Sequence, residues 1–94
     1  MNVRKITMDV DKARSNPTVF EIAQAIDKIK GVEAANITVS GIDMETVGMD
    51  ITVEGDGLDY EKIIAAIEST GAVVHSVDEL VIGNRIIDYV KRKR

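Results

Sequence analysis

Apolar residues in this chain recur at every second position, then at every third or fourth, then at every second again, and the cycle runs through twice. Period 2 belongs to a strand with one buried face and period 3.6 to a helix with one buried stripe, so the order of the changes is an order of elements. In "VRKITMDV" (3–10), Ile6, Met8 and Val10 alternate with Lys5, Thr7 and Asp9, which predicts a half-buried strand. In "SNPTVFEIAQAIDKIKG", Val19, Phe20, Ile22, Ala23, Ile26 and Ile29 take helical spacing, with Thr18 and Glu21 set three apart as a capping box and Gly31 as the stop. That predicts a helix of about 12 residues packed on one face.

Alternation returns in "VEAANITVSGIDMET", where Ala35, Ile37 and Val39 point inward and Ile42 and Met44 fall in the opposite phase after Gly41. A glycine at a change of phase predicts a bulge. "VGMDITVEG" alternates through Met49, Ile51 and Val53, and a short connection over 46–48 makes the two strands a hairpin. "EGDGLDYE" (54–61) holds four carboxylates and two glycines, the makings of a metal loop, but it lacks the D-x-[DN]-x-[DN]-G spacing of an EF-hand. It reads instead as a turn leading into a helix, with Asp59 as N-cap, Glu61 in the first turn, and Ile63, Ile64 and Ile67 inward. "AVVHSVDELVIG" is the last strand, and "NRIIDYVKRKR" is expected to form a short terminal helix capped by Asn84.

The order β-α-β-β-α-β is that of an α+β, ferredoxin-like sandwich: a four-stranded antiparallel sheet in spatial order 4-1-3-2, two helices on one face, and here a short C-terminal helix. Ninety-four residues make one domain, which we place at 1–90, with a basic tail at 91–94. A chain of this length buries roughly 60 to 70% of its unfolded surface, enough for a single modest core. There is no cysteine, so disulfides, thiolate metal sites and thiol nucleophiles are excluded. Charges at Arg4, Lys5, Asp9, Asp11, Lys12 and Arg14 interrupt the N-terminal segment, and no apolar run approaches a membrane span, so a cytoplasmic location is expected and no membrane partner.

The net charge is −4, but removing the four basic residues at 91–94 leaves eight basic against sixteen acidic ones, −8. An acidic body with three aromatics and no tryptophan argues against nucleic acid as a partner. The tail reads as a solvated end suited to the negative terminus of the last helix.

In the expected topology one end of the sheet gathers Asp9, Asp11, Asp43, Glu45 and Asp50, with His75 near. Carboxylate oxygens in that number are what Ca²⁺ or Mg²⁺ takes, so these five are the candidate metal ligands. The competing reading is a set of solvated charges, each pointing its own way. His75 is a candidate ligand-binding residue, or simply a strand histidine bonded to a carboxylate. The opposite end sets Arg4 and Lys5 against Glu54, Asp56, Asp78 and Glu79, a pattern of ion pairing. The sheet face away from the helices is polar and rich in threonine, either wet or open to a small polar ligand. Leu80, Val81, Ile82, Ile86 and Ile87 exceed what a two-helix sandwich needs, and with two edge strands they point to self-association.

The blocks "VEAANITV", "VEGDGLDYEKI" and "VVHSVDELVIGNR" resemble the archaeal family known as domain of unknown function 211, over Ile6 to Arg85, with "HSVDE" after a glycine-terminated helix as the most specific part. The resemblance implies a small ferredoxin-like subunit that assembles into closed rings and has no established enzymatic activity. The tail beyond Tyr89 falls outside it. The expectation is a non-enzymatic homo-oligomer, ring-shaped as that resemblance implies, that binds a divalent cation or a small polar ligand. The alternative is a regulatory domain of the amino-acid-sensing kind with its ligand at subunit interfaces. "DKARSNP" lacks the glycine-rich turn that would favour the latter. No nucleophile with a base and no phosphate-cradling loop is present, so no enzyme is expected.

Overall fold

The computed structural model describes residues 1–92. Its elements run β1 (Val3–Ala13), α1 (Val19–Asp27), β2 (Val32–Ile42), β3 (Thr46–Gly55), α2 (Tyr60–Ser69) and β4 (Val73–Ile82). The sheet is antiparallel in the order β2-β3-β1-β4, the expected arrangement read from its other edge. The molecule measures 39 × 38 × 17 Å. Its 17 Å thickness is one sheet plus one helical layer, which leaves the second sheet face open.

Strand alternation decides which side chains meet the helices. Ile6, Met8 and Val10 of β1 lie beside Val53, Ile51 and Met49 of β3, and all six are fully buried under Ile22 and Ile26 of α1 and Ile63 and Ile67 of α2. Burial of each such side chain contributes about 1.5–3 kcal/mol, so these central strands carry the fold. The capping box of α1 forms on both sides: Thr18 Oγ1 accepts from the Glu21 amide at 3.2 Å, and the Glu21 carboxylate accepts from the Thr18 amide. Asp59 caps α2 through the Lys62 amide at 3.2 Å. Gly55 is required by close approach, because a Cβ there would run into the carbonyl oxygen of Gly31 and the side chain of Leu58.

The ends of the elements hold the differences from expectation. The β2–β3 turn falls at 43–46, closed by the Asp43 amide on the Thr46 carbonyl at 2.8 Å, so residues 46–48 belong to β3. The bulge near Gly41 is present as a register shift between Val39 and Gly41. Phe20 does not join the packed stripe of α1; it is 80% exposed. Lys12 follows Val10 on the helix-covered face and is 7% exposed, its ammonium reaching the carbonyls of Ala13 and Arg14 at 3.0 and 3.2 Å where the strand ends.

The expected C-terminal helix does not form: residues 84–92 are neither helix nor strand. A single short helix without packing is marginal, and Ile86, Ile87 and Val90 are β-branched residues that favour extended backbone. Gly83, at φ 113°, turns the chain off β4 through a left-handed conformation. The segment then returns along the sheet. Arg4 Nη1 donates to the Asn84 carbonyl at 3.0 Å, the Asp88 carboxylate lies close enough to act on Lys5, and Tyr89 shares a hollow of about 330 Å³ with Asp78 and Glu79. Lys93 and Arg94 of the expected tail lie outside the described residues.

Candidate functional site

Two features of this plate carry chemistry: its open sheet face and its edges. On the open face, facing pairs are set by strand register. Lys5 lies across from Glu54, Thr7 from Thr52, and Asp9 from Asp50. β4 adds Glu79 beside Thr7 and Ser76 beside Asp9, and β2 adds Asn36 beside Thr52 and Thr38 beside Asp50. Thr7 Oγ1 lies 3.3 Å from Thr52 Oγ1 and donates to Glu79 Oε1 at 3.2 Å, and Lys5 Nζ reaches the same Oε1 at 3.1 Å. The hydrogen-bonded carboxylate of Glu79, helped by Glu54 and Asp88, raises the pKa of Lys5 against the opposing effect of partial burial. The lower part of the face is therefore an ordered, internally satisfied network.

The upper part is acidic. Asp9 and Asp50 face each other across β1 and β3, a like-charge pair whose Cβ atoms are about 4.5–5.5 Å apart in such a ladder. Asp11 lies two residues on, opposite Gly48, and its Oδ2 is 2.8 Å from His75 Nε2. His75 is therefore a strand histidine bonded to a neighbouring carboxylate. Asp43 and Glu45 sit in the β2–β3 turn, beyond the Ala13–Thr46 pair. Four residues of strand separate Thr46 from Asp50, about 13 Å, so the five carboxylates fall into two groups, with Asp9, Asp11 and Asp50 on the face and Asp43 and Glu45 at the turn. Among the described residues, no three carboxylate or histidine groups come together as a metal site. Composition shows how many acids share an end of the sheet; only register shows that the turn holds two of them apart.

At the other end, Arg4 and Lys5 do pair with acids: Arg4 with Asp56 at 3.9 Å and Lys5 with Glu79. Arg4 Nε also donates to the Gly55 carbonyl at 2.7 Å, a bond that charge spacing alone does not show.

The sheet edges are where apolar surface stays uncovered. The helices are about 14–15 Å long against strands of about 33–36 Å. Val39 and Ile42 on the outer edge of β2 are left open, the latter 69% exposed, and Met44 at the turn is 86% exposed. On β4, Val77, Leu80 and Ile82 share the helix-side face with Met8, Ile6 and Val3, yet each is about half exposed because α2 does not reach over them. Among the residues expected at an interface, Leu80, Ile82 and Ile87 are exposed and Ile86 is half-buried. Val81 is not available: it alternates onto the open face beside Lys5, where it is 6% exposed within its own chain.

Residues 4–94 match the family model of domain of unknown function 211, described as "Uncharacterized ArCR". The chain belongs to this family. The match reaches Arg94, so the family's span includes the basic tail, which the resemblance of individual blocks had left outside. A relative within reach of this DUF211 chain is the uncharacterized protein MJ0319 of Methanocaldococcus jannaschii, 37% identical over 89 residues that cover 95% of this chain and 91% of that protein. No described helix is long and apolar enough to cross a membrane.

Proposed function

We propose that this DUF211 chain is a non-enzymatic, homo-oligomeric binding protein whose copies join through their sheet edges into a closed ring. The observation that carries this is the uncovered apolar surface on both edges: Val39, Ile42 and Met44 at β2, and Val77, Leu80 and Ile82 at β4. β2 is an 11-residue edge strand with Glu33 as its single charge and no proline or lysine to block pairing, the kind of edge that recruits another chain. Two different edges meeting head to tail give a heterologous contact, which closes into a ring when the rotation between copies divides a full turn.

The same reading places the ligand on the open face. Asp9 and Asp50 are like charges held side by side with no described cation within ion-pair distance, which favours a ligand that brings positive charge. A hard cation such as Ca²⁺ or Mg²⁺ would take oxygens from Asp9 and Asp50, with Asp11 adjacent. One copy does not complete its shell, so water or a neighbouring copy supplies the rest. A small polar cation is the other candidate.

Native mass spectrometry of the full chain before and after a chelator is the test. A discrete multimer whose extra mass leaves with the chelator supports both parts. A multimer of bare subunits keeps the assembly and removes the metal, and a monomer at every concentration refutes the proposal.

A further inference from the structure

Charge in this chain is divided by segment. From Gly31 to Glu61 there are eight acidic residues and no basic one, a stretch that contains the whole β2–β3 hairpin. From Arg85 to the end there are five basic residues and one acidic one. Among the described residues, neither Lys91 nor Arg92 forms an ion pair, and neither do Asp43 and Glu45 at the hairpin turn.

The two segments also share exposed apolar surface. Ile87, Tyr89 and Val90 are open to solvent, Val90 at 82%, on backbone that is neither helix nor strand. The hairpin offers Val39, Ile42 and Met44 beside the unpaired outer edge of β2. An extended segment next to an unpaired edge is the arrangement of strand addition, in which backbone bonds supply affinity and side chains supply selectivity.

A chain cannot make this contact with itself. Tyr89 lies by Glu79, which is level with Thr7, whereas the turn lies past the level of Ala13. That is about 20 Å along the strands and about 14 Å across three strand spacings. Lys91 and Arg92 follow Tyr89 by two and three residues, about 7–10 Å of extended chain. The tail's charges fall well short of their own hairpin turn.

We propose that the C-terminal segment of one copy docks along β2 of the next, with Ile87, Tyr89 and Val90 against the apolar edge and Lys91 and Arg92 against Asp43 and Glu45. Because the acidic turn follows the C-terminal end of β2 and the basic residues end the tail, the added segment runs parallel to β2. This rests on the homo-oligomeric reading above and refines its contact: the segment that follows β4, rather than β4 itself, takes the unpaired edge of β2 in the next copy.

The test is a charge exchange in the full chain, read by native mass spectrometry and light scattering at low and moderate salt. K91E/R92E and D43K/E45K are each expected to weaken assembly at least about tenfold, since like charges then face each other. The four substitutions together are expected to restore it. All four substituted positions lie on exposed surface, so folding, checked by circular dichroism, should survive. A combined variant no better than its parents overturns the proposal, as does normal assembly of a chain ending at Ile87; in both cases the homo-oligomeric reading stands. A wild-type chain that is monomeric throughout overturns both.

Discussion

Replacing Arg4 by methionine keeps the apolar stem and removes a guanidinium that ties three parts of the molecule together. Nε donates to the Gly55 carbonyl at 2.7 Å, Nη1 donates to the Asn84 carbonyl at 3.0 Å, and Asp56 stands 3.9 Å away. The first bond is partly buried and comes from a charged donor, which contributes about 1.5–3 kcal/mol. The second is exposed and adds about 0.5 kcal/mol at the low end of the range for hydrogen bonds. The ion pair is long, and the Asp56 side chain is mostly exposed, so it adds between about 0 and 1 kcal/mol. The expected loss is about 2–4.5 kcal/mol, which for a domain of this size lowers Tm by roughly 8–36 °C at fixed protein concentration. Hydrogen exchange should rise over residues 84–90, because the return of the chain past Asn84 loses its anchor. Arg4→Lys is expected to recover less than half, since an ammonium on a flexible stem does not reproduce the rigid fork. A loss below about 0.5 kcal/mol in Arg4→Met, with unchanged exchange at 84–90, would refute the role given to Arg4.

The core gives a second expectation: Ile51→Ala loses about 2–5 kcal/mol and Ile51→Val about 0.5–1.5 kcal/mol, seen as lower urea midpoints with unchanged slope. Gly55→Ala forces a Cβ onto the Gly31 carbonyl and should cost about 1–3 kcal/mol or more, whereas Gly41→Ala, with nothing within 4 Å of its Cβ position, should be neutral or mildly stabilising in the same assay. Lys5 gives a pH dependence. Its pKa is raised on folding, so its contribution is complete below the unfolded value of about 10.4 and is lost as pH rises through the folded value. The stability difference between wild type and Lys5→Met should therefore hold constant up to about pH 10 and shrink as the pH rises beyond it, and a difference that stays constant in that alkaline range would contradict the Lys5–Glu79 pairing.

Element order, sheet order and the inward residues of β1 and β3 are all legible in the sequence, because those strands are buried on one face and their alternation is enforced by the core. Thr18, Glu21 and Asp59 announce the helix starts because capping is a local interaction. What is not legible is nonlocal. Asn84 looks like a cap and "IIDYV" looks apolar at helical spacing, but the segment forms no helix, and Val81 alternates onto the open face beside Lys5, where it is buried within its own chain. The spacing gathers Asp9, Asp11, Asp43, Glu45 and Asp50 toward one end of the sheet without showing which of them meet. Their division into Asp9, Asp11 and Asp50 on the face and Asp43 and Glu45 at the turn depends on where the hairpin turns, three residues earlier than the spacing suggests.

The buried cluster is wholly aliphatic, and all three aromatic rings, Phe20, Tyr60 and Tyr89, lie at the surface. This chain is therefore nearly silent to the aromatic absorbance and emission signals used to follow folding, since unfolding moves no ring from an apolar interior into water. Tyrosine emission is better placed to report on something else. Tyr89 sits in the returning C-terminal segment, so a change in its fluorescence with concentration would mark copies meeting, while backbone ellipticity would follow the fold.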